Sequence, residues 1–430
     1  MSSAPQASAV QHGSFRLYLG AIVLGTLGIQ LQGVAVAWQV FRLTRADTET
    51  AALALGAIGL AEVIPFVAAV LFAGHVADTH DRRRIARWAL LAMSLLGLVL
   101  FAQSLLRLEA WLQLTLLYAM VTLGGLARSF LTTARQAMIA ELLPRELIAG
   151  GVRWRNTLFE LACVLGPGIA GVLLWLGGEP VTYGCMLACF VGSLVATTLL
   201  RPGQKLQSRQ PEPIFQSLAV GIRFMLSQRV MLGAFTMDLF AVLLGGAVAL
   251  LPIFAQMLGV GELGFGLLRA ATSMGAVIMS IYLIVRPPLE RAGPALYASF
   301  AVFGLCIIGF GLSIQLAALL GLGLRAAFVF SFLFLLISGA ADAVNVIIRQ
   351  TILQTTVPPE MMGRVSAVTA VFVGCSNELG MAESGLAARL LGTVNSVVFG
   401  GLATFGVMGL THWRFPEIWR LRKVGQEPGP

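Results

Sequence analysis

The sequence predicts an all-α membrane protein in which twelve transmembrane helices form two six-helix bundles. Three observations lead to this fold class. The chain is strongly apolar, its apolar runs recur at the length of a membrane span, and one polar segment occurs twice, about half a chain apart. Together they describe a duplicated helical unit that is suited to a lipid bilayer.

The composition excludes an ordinary soluble protein. Of the 430 residues, 57% are hydrophobic and only 11% are charged, whereas soluble domains contain about 25% charged residues. The net charge of +9 does not indicate a nucleic-acid partner, because arginines that flank membrane helices are expected on the cytoplasmic side. The five cysteines lie in apolar runs without metal-binding or disulfide spacing, so no metal site is expected.

Twelve apolar runs have the length of about 20 residues that a membrane helix needs. None of them alternates apolar and polar residues as a transmembrane barrel strand does, so we interpret all twelve as helices. They lie near residues 15–41, 52–73, 86–106, 111–133, 156–177, 181–200, 230–257, 265–285, 295–314, 322–347, 366–388 and 391–411.

The basic residues predict the orientation of these helices. Of the 29 lysines and arginines, 22 fall in segments that are cytoplasmic if the N-terminus is inside, four in the opposite segments and three within the runs. This bias predicts a multi-pass membrane protein with both termini in the cytoplasm, and we expect its location to be the bacterial inner membrane. The polar segment at 201–213 separates the sixth run from the seventh. It predicts an N-terminal bundle at 1–200, a linker at 201–229 whose second part fits an interfacial helix, and a C-terminal bundle with its tail at 230–430.

The repeated segment is RQAMIAELLPRE at 135–146 and RQTILQTTVPPE at 349–360. In each half it follows the fourth run and precedes the fifth. A proline with a glutamate two residues later is typical of a helix start, because the N–H that proline lacks has no helical partner there and the carboxylate meets the positive helix end. We interpret each copy as a cytoplasmic elbow between two spans. The duplication predicts that two bundles give alternating access to a central site.

Charged side chains inside the spans are the candidates for the transport mechanism, since an ionised group in the bilayer normally faces a cavity or a partner. Asp238, Glu378 and Glu62 are candidates for proton coupling, because a coupling carboxylate must titrate near neutral pH. Glu378 and Glu383 lie five residues apart and diverge by about 140° on a helix, so they need not serve one site. For each acid the alternative is a structural hydrogen bond between helices.

A polar stripe is predicted on the tenth span, where Ser338, Asp342, Asn345 and Arg349 follow one another at helical spacing. Arg128 on the fourth span occupies the position that corresponds to Asp342 in the repeat. We hypothesise that Arg128 and Asp342 help to close a cytoplasmic gate, directly or through a shared network with Arg349. The alternative is that each bundle pairs its own charges separately.

Several segments resemble a known family. GHVADTHDRR at 74–83 is similar to the loop between the second and third helices of the major facilitator superfamily, and LGPGIAG at 165–171 is similar to a helix-five motif of its antiporters and exporters. Segments along almost the whole chain, such as SNELGMAESGLAARLLG at 376–392, resemble the transmembrane secretion effector branch. The resemblance implies the major facilitator fold, a bias toward export, and drugs or siderophore-like metabolites as cargo.

The segment at 74–83 contains four candidate residues for conformational control. Gly74 fits the end of a helix, and Asp78 can accept N–H groups from a nearby helix start. Arg82 and Arg83 suit the level of the lipid phosphates. The resemblance implies that Asp78 and Arg82 form a latch between the two bundles, and Asp81 departs from the family pattern.

The motif in the fifth span combines a proline with glycines. Pro167 removes a helix N–H, and Gly166 and Gly171 allow neighbouring helices to approach closely. Close packing is one interpretation of these residues, and the resemblance adds a role in the conformational change of an exporter.

These observations predict a secondary active transporter that exports a small lipophilic or siderophore-like molecule in exchange for protons. The alternatives are a proton-coupled symporter that imports a small nutrient and a membrane sensor without flux, which the short soluble segments disfavour. The sequence contains no GxxxxGK[ST] phosphate loop, so we expect no ATP hydrolysis, no enzymatic activity and no cofactor. The expected partners are the transported molecule, protons and the lipid bilayer, without nucleic acid, and the protein is expected to be a monomer.

Overall fold

The computed structural model describes residues 12–106, 108–200, 214–285, 291–358 and 361–421. In these ranges the chain forms α-helices, one 3-10 turn at Val248–Leu250 and no β-strand. The helices of the first half are α1 (Gly13–Thr44), α2 (Thr48–Thr79), α3 (Arg82–Leu105), α4 (Ala110–Leu142) and α5 (Arg145–Thr198). Those of the second half are α6 (Ile214–Ser227), α7 (Arg229–Gly245), α8 (Leu251–Met257), α9 (Gly261–Val285), α10 (Ala292–Gly311), α11 (Ser313–Leu319), α12 (Leu324–Thr356), α13 (Met362–Leu391) and α14 (Thr393–Arg414).

Ten helical segments of the described chain are long and apolar enough to cross a membrane. One of them, inside α5, is 49 residues long and contains both the fifth and the sixth predicted span. Gly177 and Gly178 interrupt its helical backbone, and Gly178 has a φ of 68°, which glycine adopts at little cost. α13 coincides with the eleventh predicted span and is not among the ten. With the two legs of α5 and with α13, the crossing helices are the twelve that the sequence predicts, and the fold class is confirmed.

The seventh predicted span, 230–257, is not one continuous helix. The 3-10 turn separates α7 from α8 within a segment, Arg229–Met257, that is long and apolar enough to cross a membrane. The hydroxyl of Ser384 in α13 donates a hydrogen bond to the carbonyl oxygen of Gly246. This contact satisfies one of the carbonyls that the interruption frees, as irregular backbone inside a membrane requires.

The two elbow segments were predicted to end one span and begin the next, and most of the residues that precede their prolines are helical. α4 continues to Leu142, and α5 begins at Arg145 with Pro144 as its N-cap. In the second half, α12 continues to Thr356, and Glu360 lies outside the described residues. The turn therefore falls at the proline, while the residues before it extend the preceding span.

Contacts divide the chain into two compact units. Unit 1 comprises Met1–Leu43 and Ala61–Ile214, and unit 2 comprises Thr44–Leu60 and Phe215–Pro430. The start of α2 thus groups with unit 2, whereas the predicted N-terminal bundle includes it. Residues 201–213 of the predicted linker at 201–229 lie outside the described residues, and α6 forms the second part of the linker, where the sequence predicts a helix.

In unit 2, α9 and α12 cross in close contact at two glycines. A Cβ on Gly275 of α9 would overlap the carbonyl oxygen of Leu336, and a Cβ on Gly339 of α12 would overlap the carbonyl oxygen of Thr272. Each glycine faces the backbone of the other helix, so a side chain at either position would separate the helices.

Residues 415–421 pack against the helices of unit 2. Ile418 is fully buried, and a Cβ on Gly233 of α7 would meet its side chain at 2.5 Å. The N–H of Gly293 in α10 donates to the carbonyl oxygen of Leu421 at 2.9 Å. This segment therefore joins the starts of α7 and α10 to the end of α14.

Candidate functional site

A buried hydrogen-bonded cluster joins α7 to α12 in unit 2. The Arg349 guanidinium donates to Asp238 Oδ2 at 2.5 Å, and the Asn345 amide donates to Asp238 Oδ1 at 3.0 Å. Arg349 also donates to the side-chain oxygen of Asn345 at 3.1 Å. The side chains of Asp238 and Arg349 are 4% and 7% exposed, so solvent screens their charges little.

The sequence builds this cluster from a polar stripe on α12 and one acid on α7. Asn345 and Arg349 lie four residues apart and share a helix face, as the spacing predicts. Phe235, less than one turn before Asp238, lies under the guanidinium, with 5.6 Å from Arg349 Cζ to the ring centroid. The cation therefore has a carboxylate, an amide oxygen and an aromatic face as partners, and both carboxylate oxygens accept hydrogen bonds.

A small cavity lies beside this cluster. Asp342 and Asn345 of α12 line it together with Ser299 and Phe300 of α10. Its volume of about 10 Å³ has room for about one water molecule. Most of the lining is apolar, and Ser299, Asp342 and Asn345 are its three polar residues.

In unit 1, Arg128 of α4 forms an ion pair with Glu62 of α2. Their side chains are 23% and 22% exposed, so this pair is less enclosed than the pair in unit 2. The guanidinium also lies 5.7 Å from the centroid of the Phe66 ring. A Cβ on Gly125 would meet the carbonyl oxygen of Glu62 at 2.9 Å, so this glycine lets α4 approach α2 closely enough for the pair to form.

Arg135, the arginine of the first elbow segment, has neutral partners. Its guanidinium donates to the carbonyl oxygen of Ala21 and to the hydroxyl of Ser193, each at 2.8 Å. At the repeat position of Asp238, the first half has Leu24. The two halves therefore hold equivalent arginines by different chemistry, with an ion pair in unit 2 and neutral oxygens in unit 1.

The charges that the sequence assigns to a gate have partners within their own units. Arg128 contacts Glu62, and Arg349 contacts Asp238. Both contacts correspond to the alternative in which each bundle pairs its charges separately. A direct interaction between Arg128 and Asp342 stays a prediction.

The segment at 74–83 corrects one helix boundary. α2 continues five residues beyond Gly74, so this glycine lies inside the helix and not at its end. The side chain of Asp78 lies outside the described residues. Asp81 is the N-cap of α3, and its carboxylate accepts the N–H groups of Arg83 at 2.9 Å and Arg84 at 3.4 Å. The helix start thus has an acceptor, three residues after the acid that the sequence analysis assigned to this role.

The two candidate arginines of this segment have partners in unit 1. Arg82 pairs with Glu141 at 3.2 Å, and Arg83 donates to the carbonyl oxygen of Leu200 at 3.3 Å. Glu141 lies in the first elbow segment, beyond the predicted span at 111–133. Burial raises the pKa of its carboxyl, and the charges of Arg82 and Arg83 oppose this rise. A role of Arg82 in a latch between the bundles stays a prediction.

Glu378 and Glu383 are both half-buried on α13. α13 is helical from Met362 to Leu391, so the two carboxylates leave the helix in directions about 140° apart, as their spacing predicts. A Cβ on Gly59 would overlap the backbone carbonyl oxygen of Glu378. The backbone of α13 therefore touches the start of α2 at this position, and the coupling role of Glu378 stays a prediction.

Gly166, Pro167 and Gly171 are buried in the first leg of α5. A Cβ on Gly166 would lie 2.5 Å from Cβ of Gln30 in α1. This close approach supports the packing interpretation of the motif. Pro167 lies inside the helix without ending it.

One polar cluster was not predicted. Gln39 of α1 is 1% exposed and accepts hydrogen bonds from the Tyr183 hydroxyl at 2.7 Å and from the Gln103 amide at 3.1 Å. It also donates to the side-chain oxygen of Gln113 at 3.1 Å. The sequence signal for this cluster is an amide side chain inside an apolar run, since a polar group in the bilayer needs a partner.

Comparison with known proteins finds relatives along nearly the whole chain. The family model for the Major Facilitator Superfamily matches residues 18–381. The enterobactin exporter EntS of Shigella flexneri is 26% identical over 423 residues, which cover 97% of this chain and 94% of that protein. The enterobactin exporter EntS of Escherichia coli O81 (strain ED1a) is 26% identical over 421 residues, with the same two coverages.

Solved structures share the fold at lower sequence identity. The D-xylose-proton symporter has a TM-score of 0.70 at 12% identity, over 97% of this chain and 100% of that chain. A bacterial homologue of the iron transporter ferroportin, in an inward-facing state, has a TM-score of 0.67 at 15% identity, over 95% of this chain and 99% of that chain. Fold alone does not determine the cargo.

Proposed function

The chain belongs to the major facilitator superfamily, and from this premise we propose that it is a secondary active transporter that exports a small lipophilic or siderophore-like molecule in exchange for protons. A multi-pass membrane transporter follows from the family, whereas the direction, the cargo and the proton are the proposal. Similarity to enterobactin exporters over 97% of the chain supports export and the siderophore-like class.

The observation that carries the proposal is the pairing of intramembrane acids with arginines in both units. Asp238 contacts Arg349, and Glu62 contacts Arg128. An ionised carboxylate within the bilayer is stabilised by such a partner. Protonation removes the charge of the carboxylate and weakens its hold on the arginine. One proton therefore changes which contacts join two helices, which is the elementary event that proton coupling requires.

In the proposed cycle, two bundles expose a central site to either side of the membrane in turn. A coupling carboxylate, with Asp238, Glu378 and Glu62 as candidates, takes up a proton while the site faces outward. The protonated protein returns to the inward-facing state, where binding of the cargo favours release of the proton to the cytoplasm. Cargo and proton compete for binding to the same conformation of the transporter. The process is an exchange because the transporter changes conformation only with either cargo or proton bound.

We also propose the membrane placement that the basic residues predict. The protein lies in the bacterial inner membrane as a monomer, with both termini in the cytoplasm and with the bundles at 1–200 and 230–430. The arginines at the start of α3, at 82–84 and 87, then lie at the cytoplasmic surface, where anionic lipids attract them.

Import of a nutrient with protons is the second candidate. It is favoured by the TM-score of 0.70 to a D-xylose-proton symporter, because that relation shows that the same fold serves a symporter. The exporter and the symporter differ in one measurable property, which is the direction of cargo movement relative to proton movement.

The test uses the full-length protein in sealed proteoliposomes with an imposed pH gradient and a pH-sensitive dye inside. Two labelled probes are offered, a catecholate siderophore and a lipophilic fluorescent cation. We expect one probe to move against the protons and the dye to report proton movement only when that probe is present. Movement of a probe together with the protons would contradict exchange and support the symporter.

Two variants locate the coupling acid. Asp238→Asn removes the acid of the buried pair. Glu417→Gln removes an acid that follows α14 in unit 2 and pairs with Arg229 at 3.1 Å. We expect proton-linked movement to disappear in the first variant and to persist in the second. If the two variants transport equally well, Asp238 is not the coupling residue, and the same comparison moves to Glu378 and Glu62.

A further inference from the structure

A groove of about 740 Å³ runs between α3 and α4 in unit 1. Eleven of its fourteen lining residues are apolar. The three polar ones, His80, Asp81 and Arg84, lie together at the end where α2 passes into α3. The groove thus has one polar end and a long apolar remainder.

The length of the groove matches one leaflet of a bilayer. Trp88, Ala92 and Leu95 follow Arg84 along α3 at spacings of three or four residues and line one wall, while residues of α4 such as Leu126 line the other. From Arg84 to Leu95 the helix rises about 16 Å at ~1.5 Å per residue. Half of the hydrocarbon core of a bilayer is about 15 Å thick.

The apolar walls are open to the surroundings of the protein. The exposed fractions are 62% for Trp88, 56% for Leu95 and 40% for Leu126. Large apolar side chains with such exposure mark a surface that contacts an apolar partner. In a membrane transporter, a lipid chain is the apolar partner that is always present at this depth.

The polar end offers a cation for which the described residues provide no partner. Arg84 is exposed, and its guanidinium makes no ion pair or hydrogen bond within the described chain. Its neighbour Arg87 donates to the carbonyl oxygen of Arg83 at 3.3 Å. The neighbouring Asp81 accepts the backbone N–H groups of Arg83 and Arg84 at Oδ1. A guanidinium in this position can bind two oxygens of one phosphate.

We propose that this α3–α4 groove is a binding site for an anionic phospholipid, with its phosphate on Arg84 and one acyl chain along the apolar walls. A zwitterionic lipid offers the same chain, but its own cation competes with Arg84 for the phosphate. One basic residue at an anionic headgroup corresponds to about a five-fold preference. The inference needs only the placement of the chain in a membrane and does not depend on the cargo or the direction of transport.

Quenching of tryptophan fluorescence by brominated lipids tests the site, because Trp88 forms part of its wall. The full-length protein is reconstituted in phosphatidylcholine vesicles that contain brominated phosphatidylglycerol or, in parallel, additional brominated phosphatidylcholine. The signal of Trp88 is the difference between the unchanged protein and its Trp88→Phe variant. We expect phosphatidylglycerol to quench this signal at about five-fold lower mole fraction than phosphatidylcholine.

Two substitutions separate the site from general surface charge. Arg84→Gln should abolish the preference for phosphatidylglycerol. Arg87 lies outside the groove, about one turn further along α3, so Arg87→Gln removes the same charge and should retain this preference. Ala92→Phe fills the groove and should reduce quenching by both lipids. Three results would overturn the proposal: equal quenching by the two lipids in the unchanged protein, equal loss in both arginine variants, or displacement of the lipid by inorganic phosphate.

Discussion

Replacement of Asp238 with asparagine should destabilise unit 2 more than replacement of both members of its ion pair. Asparagine keeps the shape of the side chain and an oxygen for Arg349, but it removes the counter-charge of a cation that is only 7% exposed. Loss of one partner from a buried pair costs about 3–5 kcal/mol. For a helical unit of this size, the midpoint of thermal unfolding should fall by on the order of 10 °C.

The solvent exposure of an ion pair decides how much stability is lost when its acid is replaced. The side chain of Asp238 is 4% exposed, whereas in the pair of Arg229 with Glu417 the side chains are 56% and 31% exposed. Water and salt screen the second pair, so Glu417→Gln should cost only about 0–1 kcal/mol. The two single variants are therefore a matched comparison of a buried and an exposed acid in the same unit.

The measurement is thermal unfolding of the purified protein, for Asp238→Asn, Arg349→Gln and the double variant. The double variant leaves no uncompensated charge, so it should recover a large part of the loss and show a coupling of about 0.5–3 kcal/mol between the two positions. The reasoning is refuted if the two single losses simply add in the double variant. It is also refuted if Asp238→Asn is no less stable than Glu417→Gln.

Two further predictions concern packing and pH. Gly275→Ala should lower the free energy of unfolding by roughly 1–3 kcal/mol, because its Cβ would overlap the carbonyl oxygen of Leu336. The control is Gly406→Ala, which has open space at its Cβ and should be neutral or stabilising. Equal effects of the two changes in thermal unfolding would contradict the packing of α9 against α12. Burial raises the pKa of Glu141 above its ordinary value of 4.5, so the native state binds this proton more tightly than the unfolded state does. Protonation of Glu141 therefore stabilises the native state. This contribution to the free energy of unfolding is complete below pH 4.5 and declines as the pH rises through the raised pKa. The stability of the unchanged protein relative to Glu141→Gln should therefore be greater at pH 4 than at pH 7, and a difference of the opposite sign would show that the pair with Arg82 outweighs burial.

Features with a local cause could be predicted from the sequence. The length of the apolar runs predicts the spans, because the thickness of the bilayer sets the length of a helix. The gap between the runs at 156–177 and 181–200 coincides with the non-helical Gly177 and Gly178, since a glycine pair is a place where a helix can bend. Pro144 marks the start of α5 as its N-cap, because the N–H that proline lacks has no helical partner at a helix start.

Contacts between distant segments could not be predicted. The spacing of Asn345 and Arg349 shows that they share a helix face, but periodicity does not show which acid that face meets, and Asp238 is 107 residues away from Asn345. The interruption between α7 and α8 depends in the same way on the hydroxyl of Ser384, which belongs to another helix.

The cap of α3 was missed for a different reason. The family pattern directed attention to Asp78, although Asp81 stands directly before the first helical residue of α3. An acid in that position accepts the free N–H groups of the first turn, so the local physical rule would have found it. The resemblance was informative about the fold and less reliable than capping chemistry about one residue.

The packing of residues 415–421 has a consequence for the synthesis of the protein. A chain grows from its N-terminus, so Ile418 and Leu421 leave the ribosome after every helix of unit 2 that they contact. Until they arrive, the site that buries Ile418 is open, and the N–H of Gly293 lacks its carbonyl acceptor. A chain truncated after α14 would insert every span and still expose an apolar hollow, which is a feature that cellular quality control can recognise. The packing of unit 2 is therefore completed only after its last membrane helix has been synthesised.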